Sequence, residues 1–90
     1  MEIKNIGVIG AGQMGNGIAH VCALAGYSVK LNDVSRERVE AALATINGNL
    51  SRQVASEKIS EADRESALGL ISGETDFQDL VSCDLIIESV

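Results

Sequence analysis

Apolar residues along the chain follow two different periods, and the alternation between them predicts the order of strands and helices. Short apolar runs at residues 4–9, 28–32 and 84–89 are typical of buried strands. Between the first two runs, residues 12–25 carry apolar side chains at helical spacing, which predicts a helix with one apolar face. That face is predicted to contain Met14, Ile18, Val21, Cys22 and Ala25.

A long helical excursion separates the second strand from the third. Ser35 is a favourable N-cap, and the apolar spacing after it predicts one helix over residues 35–55. The buried stripe of that helix is predicted to contain Val39, Leu43, Ile46, Leu50 and Val54. Ser60 and Asp63 have the spacing of a capping box, which predicts a second, shorter helix over residues 60–69.

The remaining elements complete the order β-α-β-α-α-β-α-β. Residues 70–72 suggest a brief third strand and residues 76–81 one or two turns of helix, before the fourth strand. Strands that alternate with helices form parallel sheets through right-handed crossovers. We therefore expect an α/β fold, a Rossmann-type parallel sheet with a helical hairpin between its second and third strands. Because the sequence stops at the fourth strand, we expect residues 1–90 to be the first part of a larger domain.

The composition fits a globular protein and argues against several partners. Apolar residues make up 46% and charged residues 22% of the chain, so disorder is not expected. The net charge is -6 with only seven basic residues, which argues against binding to nucleic acid. We recognise no signal peptide, no membrane-spanning run and no Cys/His spacing for a metal site. Cys22 and Cys83 are interpreted as free thiols, which favours the cytoplasm.

One segment of the sequence contains a recognisable ligand-binding motif. Residues 10–15 match the pattern G-x-G-x-x-G, follow a predicted strand and open a predicted helix. Asp33 stands at the end of the next strand, about 20 residues after the motif, where an acidic partner is expected. This context predicts a dinucleotide site. Its predicted cofactor-binding residues are Gly10, Ala11, Gly12, Gln13, Met14, Gly15 and Asp33.

Each glycine of the motif has a separate physical role. Gly10 permits a tight turn out of the strand, Gly12 lets the backbone approach a pyrophosphate, and Gly15 lets the helix pack close to the strand. The pyrophosphate would rest at the helix N-terminus, where amides near Gln13 and Met14 point outward and the helix dipole is positive. The alternative interpretation is a glycine-rich turn that binds nothing.

Asp33 is expected to select the cofactor. Its carboxylate can accept hydrogen bonds from ribose hydroxyls and would repel a 2′-phosphate, which favours NAD over NADP. The alternative for Asp33 is a plain turn residue before Ser35. Glu88, at the carboxyl end of the fourth strand, is a weaker candidate for ligand contact. The single histidine, His20, is expected to have a structural role or to face solvent.

The motif and three further segments resemble one known family; the segments are residues 6–19, 31–34, 46–50 and 83–88. They closely resemble the 3-hydroxyacyl-CoA dehydrogenases, especially the bacterial 3-hydroxybutyryl-CoA dehydrogenases, and the resemblance runs over essentially the whole chain. It implies an oxidoreductase of fatty acid metabolism that transfers hydride between the 3-hydroxyl carbon of an acyl-CoA and NAD.

The resemblance also implies where the other functional residues lie. In that family the helical hairpin lies near the CoA moiety, so Asn49, Ser56 and Lys58 are candidate substrate neighbours. The family's catalytic histidine and glutamate, a supporting serine and asparagine, and a helical domain that completes the dimer come later in the chain. We therefore expect no catalytic residue among these 90, and no turnover by them alone.

Two other functions remain open from the sequence. The chain could be a nucleotide-binding module without catalysis, or its glycine-rich loop could belong to an S-adenosylmethionine-dependent methyltransferase. The glycine spacing favours a pyrophosphate ligand over the latter. The fourth strand, with Leu85, Ile86 and Ile87, is expected to form an exposed sheet edge, so we expect a homodimer or self-association through that edge.

Overall fold

The computed structural model describes residues 2–89, which form a four-stranded parallel sheet, three α-helices and one 3-10 turn. The strands are β1 (Asn5–Ile9), β2 (Ser28–Asn32), β3 (Ile71–Glu74) and β4 (Leu85–Glu88). The helices are α1 (Gln13–Leu24), α2 (Arg36–Ala55) and α3 (Glu61–Leu70), and the 3-10 turn spans Phe77–Leu80. The sheet has the order β3-β2-β1-β4 with every pair parallel, which confirms the predicted Rossmann-type α/β fold.

Polar residues explain where α2 and α3 begin. The Ser35 hydroxyl accepts a hydrogen bond from the Arg38 N–H at 3.3 Å, which caps the first turn of α2. Ser60 and Asp63 form the predicted capping box, in which each side chain accepts the other's N–H, at 3.1 and 3.0 Å. Leu70, predicted to open the third strand, is instead the last residue of α3.

The hydrophobic core lies between the sheet and the three helices, which pack against one another on one face. Alternate residues of β1 and β2 point into it, because successive strand residues face opposite sides. These strand residues are Ile6, Val8, Val29 and Leu31. The fully buried residues that α2 contributes are Val39, Ile46 and Leu50. The predicted stripe of α2 is thereby confirmed, with Leu43 and Val54 half-buried at its margin.

The predicted apolar face of α1 is wrong in three of its five residues. Met14 is 67% and Val21 66% exposed, and Ala25, also exposed, follows the helix. The residues that face the sheet are small: Gly15, Ala19 and Ala23, with Ile18 and Cys22 partly buried beside them. At Gly15 the helix passes so close to the Gly10 carbonyl oxygen that even a Cβ would collide with it, which explains why small residues face the sheet there.

The other face of the sheet is partly covered by the 3-10 turn, and β2 holds this turn in place. The Lys30 Nζ donates a hydrogen bond to the Asp79 carbonyl at 2.7 Å. The buried Asn32 side chain donates to the Asp76 carbonyl at 3.2 Å. Leu80, at the end of the turn, is buried as a result.

Three further observations concern the membrane, the cysteines and metal binding. No helix within residues 2–89 is long and apolar enough to span a membrane. Cys22 and Cys83 are free, and burial raises the pKa of both thiols. No three His, Cys, Asp or Glu side chains of this part of the chain are grouped so that they could hold a metal ion.

Candidate functional site

Three neighbouring strands end at one edge of the sheet, and the predicted site lies there. β1, β2 and β4 are parallel and end in register, so Gly10, Asp33 and Ser89 follow them side by side. The chain proceeds from β1 to β2 and β3 on one side, whereas β4 pairs with β1 on the other. Open α/β sheets bind ligands outside the carboxyl ends of the strands where the strand order reverses in this way.

The glycine segment forms a sharp turn between β1 and α1. Gly10 has a φ of 100°, in the left-handed region that glycine adopts without strain. Its N–H donates to the Asn32 carbonyl at 2.7 Å, which anchors the turn to β2. A Cβ on Gly15 would collide with the Gly10 carbonyl oxygen, so α1 passes directly over the turn. Gly10 and Gly15 are therefore required by the backbone itself.

Gly12 differs from these two glycines. It is the N-cap of α1 with a φ of -74°, which any residue can adopt. A Cβ placed on it would meet no protein atom within 4 Å. The fold therefore does not require glycine at this position. The open space above its Cα would let a ligand approach the backbone closely, and in this respect the turn fits a bound pyrophosphate.

α1 begins with backbone donors that the protein does not use. No side chain caps its N-terminus, and no acidic residue lies in its first turn. The first helical bond runs from the Asn16 N–H to the Gly12 carbonyl at 2.9 Å. Among the described residues, the Gln13 and Met14 N–H groups have no hydrogen-bond partner. Free N–H groups and the positive end of the helix dipole together can hold an anion such as a phosphate.

Asp33 is fixed beside this turn by two backbone groups. Its Oδ2 accepts the Ala11 N–H at 3.1 Å, and its Oδ1 accepts the Ser35 N–H at 3.0 Å. These bonds, with that from Ser35 the stronger influence, hold the pKa of the Asp33 carboxyl below its usual value, and the Arg38 cation acts in the same direction. The carboxyl is therefore ionised at neutral pH. Since a carboxylate can accept about four hydrogen bonds, both oxygens retain acceptor capacity.

A cleft of about 350 Å³ opens at this edge of the sheet, next to the turn. Its charged lining residues are Asp33, Glu88 and Arg38. Val34 and Phe77 supply apolar walls and are 82% and 59% exposed. Val34, Arg38 and Phe77 were not among the predicted site residues. Only the position of Val34, directly after Asp33, could have indicated its role from sequence.

The candidate substrate residues lie away from this cleft. At 1.5 Å per residue, Asn49 is roughly 20 Å along α2 from the end that reaches the cleft. Ser56 caps the far end of α2, and Lys58 stands in the turn after it. The structure therefore does not bring these three residues to the glycine turn. His20 is also elsewhere, since its Nε2 lies 2.8 Å from the Gln53 side-chain oxygen, between α1 and α2.

Comparison with known proteins gives a consistent likeness. The family model described as 3-hydroxyacyl-CoA dehydrogenase, NAD binding domain, matches residues 5–90. A 3-hydroxybutyryl-CoA dehydrogenase of Bradyrhizobium diazoefficiens is 56% identical over 87 residues, which are 97% of this chain and 30% of that protein. A 3-hydroxybutyryl-CoA dehydrogenase of Mycobacterium tuberculosis is 42% identical over 88 residues, 98% of this chain and 31% of that protein.

Solved structures agree with this likeness. The crystal structure of (S)-3-hydroxybutyryl-CoA dehydrogenase from Ralstonia eutropha has a TM-score of 0.96 and 43% identity, covering 99% of this chain and 31% of that one. The chain thus spans about 30% of the length of the curated relatives it matches. These likenesses favour a dehydrogenase over a methyltransferase.

Proposed function

Because the chain belongs to the family of 3-hydroxyacyl-CoA dehydrogenase NAD-binding domains, we propose that its glycine turn and Asp33 together form the NAD site. One observation carries the proposal: the open backbone at Gly12, the unpaired amides of Gln13 and Met14, and the Asp33 carboxylate meet at one edge of the sheet. A dinucleotide presents a pyrophosphate and a ribose diol at matching positions.

The pyrophosphate is assigned to the start of α1. Gln13 and Met14 offer it N–H donors, and Gly12 offers a surface without a side chain. Gly10 and Gly15 shape the turn beneath it. Ala11 joins this part of the site to the next, because its N–H is the group that holds Asp33 in place.

The adenosine half is assigned to the cleft. The ribose hydroxyls donate to the free lone pairs of Asp33, and the negative charges of Asp33 and Glu88 disfavour a 2′-phosphate more than Arg38 favours it. NAD is therefore preferred over NADP. The adenine base lies against the exposed apolar surfaces of Val34 and Phe77, where an aromatic ring can stack on a base.

In a protein of its relatives' length, this chain is the first part of the NAD-binding domain of an oxidoreductase. We propose that the whole enzyme transfers hydride between the 3-hydroxyl carbon of an acyl-CoA and the nicotinamide. This chain then supplies the binding and orientation of the cofactor, and the catalytic groups come from outside it. Asn49, Ser56 and Lys58 on the α2–α3 hairpin remain the candidates for contact with CoA.

The outer side of strand β4, the last strand of the sheet, is proposed as the surface for self-association. Within residues 2–89, β4 has β1 as its single neighbour, and its Leu85 and Ile86 are 41% and 48% exposed. An apolar edge of this kind favours pairing with a second copy of the chain. Light scattering at rising concentration is expected to show dimers or larger species, and a monomer throughout would contradict this.

The free Cys22 and Cys83 support a cytoplasmic location.

Calorimetric titration of the 90-residue chain with NAD, ADP-ribose and NADP tests the binding site. We expect NAD and ADP-ribose to bind and NADP to bind more weakly. Absence of NAD binding to a folded chain would overturn the proposal. The enzymatic part is tested on a protein of the relatives' length with NADH and a 3-ketoacyl-CoA, where NADH consumption is expected. Binding without consumption would instead support a nucleotide-binding module.

A further inference from the structure

Ser89, directly after β4, holds the glycine turn through its side chain and its backbone. Its Oγ lies 2.9 Å from the Ile9 carbonyl oxygen and 2.9 Å from the Gly10 carbonyl oxygen. Its N–H donates to the Ile9 carbonyl, also at 2.9 Å. The hydroxyl has one proton for two acceptors, and since the N–H already serves Ile9, the Gly10 carbonyl is the one that depends on the hydroxyl.

The Gly10 carbonyl also lies directly against α1. A Cβ on Gly15 would collide with this oxygen and would lie 2.8 Å from the Ser89 Oγ. The Gly10 carbonyl oxygen, the first turn of α1 and the Ser89 hydroxyl therefore meet at one point. No other side chain among residues 2–89 donates a hydrogen bond to it.

One rigid peptide unit connects Ser89 to Asp33. In a planar trans peptide the C=O and the N–H point in opposite directions. The unit between Gly10 and Ala11 accepts from the Ser89 hydroxyl at its C=O and donates to the Asp33 Oδ2 at its N–H, at 3.1 Å. A rotation of this plane that breaks one of these bonds also weakens the other.

We propose that Ser89 is a positioning residue of the cofactor site. It fixes the plane of the Gly10–Ala11 peptide, and through that plane it sets both the turn beneath the pyrophosphate and the carboxylate that receives the ribose. The effect on cofactor affinity rests on the proposed NAD site, whereas the effect on the turn does not depend on any ligand.

The test compares Ser89→Ala with Ser72→Ala, which removes the hydroxyl of an exposed serine on β3. In Ser89→Ala we expect hydrogen exchange of the Ala11 N–H to accelerate about tenfold, and affinity for NAD and ADP-ribose to fall about fivefold to tenfold, as for the loss of one hydrogen bond. The pKa of Asp33, measured by NMR of its carboxyl carbon, is expected to rise. Ser72→Ala should change none of these.

Each outcome decides between distinct claims. Unchanged Ala11 exchange and an unchanged Asp33 pKa in Ser89→Ala would overturn the inference, whatever happens to NAD. If both change while NAD affinity does not, the positioning role is wrong and the proposed NAD site stands. If the unaltered chain does not bind NAD, the proposed function fails, and the two NMR measurements still decide what Ser89 does. Ser89→Cys, which keeps the size with only a weak donor, should shift both in the same direction if the alanine variant does not fold.

Discussion

Asp33 lies where the parallel strands end, the carboxyl edge of the sheet, and Asp84 lies where they begin, the amino edge. Both are held in similar ways, yet only one of them faces a site. Asp33 accepts two backbone N–H groups at the carboxyl edge, and Asp84 accepts those of Lys4 and Asn5 at the amino edge, both at 2.9 Å. Backbone hydrogen bonds lower the pKa of both carboxyls. Asp84 joins the starts of β1 and β4, whereas Asp33 retains acceptors toward a cleft.

The larger concavity of the molecule lies at the amino edge, but it lacks the groups that mark a site. It measures about 740 Å³ and is lined by residues 2–4 and 25–28. α1 ends there, and three carbonyls of its last turn already accept the N–H groups of Ala25, Gly26 and Tyr27. The smaller cleft at the carboxyl edge adjoins a helix start with free donors. Unused backbone donors therefore distinguish the two edges better than volume does.

Gly15→Ala is expected to disrupt the carboxyl edge more severely than any other substitution considered below. The added methyl group would overlap the Gly10 carbonyl oxygen, so the helix must move away from the sheet. We expect destabilisation of roughly 1–3 kcal/mol or more, measured as the free energy of unfolding in urea. Gly17→Ala, on the same helix but in open space, should be stabilising by about 0.5–1 kcal/mol. Equal stability of the two variants would contradict the close packing described above.

The variants Asp33→Asn and Asp84→Asn distinguish the roles of the two aspartates. Both variants lose a carboxylate that accepts two backbone bonds, so both should lower stability. Only Asp33→Asn should weaken NAD binding, about 10- to 100-fold, because hydrogen bonds to a charged group contribute about 1.5–3 kcal/mol. It should also narrow the preference for NAD over NADP. Calorimetry with both cofactors measures this, and a similar loss of NAD affinity in Asp84→Asn would remove the distinction between the edges.

A smaller effect is expected at the apolar wall of the cleft. Phe77→Ala removes the ring proposed to contact adenine, so affinity for NAD and AMP should fall about fivefold, the lower range for base stacking. Val81→Ala is the matched control, since Val81 is 75% exposed and lies just past the 3-10 turn, outside the cleft lining. Nicotinamide mononucleotide should bind both variants equally. If AMP binds Phe77→Ala as tightly as Val81→Ala, the adenine is not at Phe77.

Acid affects both edges and is expected to have the mildest effect. The pKa of each carboxyl is lower in the folded chain than the value near 3.9 of an unfolded one, so the folded state binds fewer protons. The stabilisation is therefore complete above about pH 4 and disappears as the pH falls through the lowered values. Urea midpoints measured from about pH 6 to pH 2 should decline at the acid end. The decline should be shallower in Asp84→Asn, and identical profiles would contradict the assignment.

The sequence predicted the fold well where large apolar side chains define the pattern. On α2, a stripe of branched residues and the Ser35 cap locate the buried face and the helix start. On α1 the same reasoning failed at Met14 and Val21, because the face against the sheet is made of Gly15 and alanines, which carry little hydrophobic signal. Close packing thus removes the signal on which periodicity depends.

The candidate site was predictable only in its local part. The motif and Asp33 are visible because their spacing along the chain reflects one βαβ unit. Ser89 reaches the site through the register of β4 with β1, and Phe77 through the bond from Asn32 to Asp76. These long-range contacts leave no local pattern. Single-sequence reasoning therefore recovers the turn but not its supports.

Gly12 provides the most direct test, because there the requirements of the fold and of the ligand separate. Calorimetric titration of Gly12→Ala with NAD, alongside its unfolding free energy, is the measurement. We predict that the unfolding free energy changes by less than about 1 kcal/mol, since the methyl group meets no protein atom, while NAD affinity falls at least about tenfold. A variant that binds NAD as tightly as the unaltered chain would contradict the account of the carboxyl edge as the dinucleotide site.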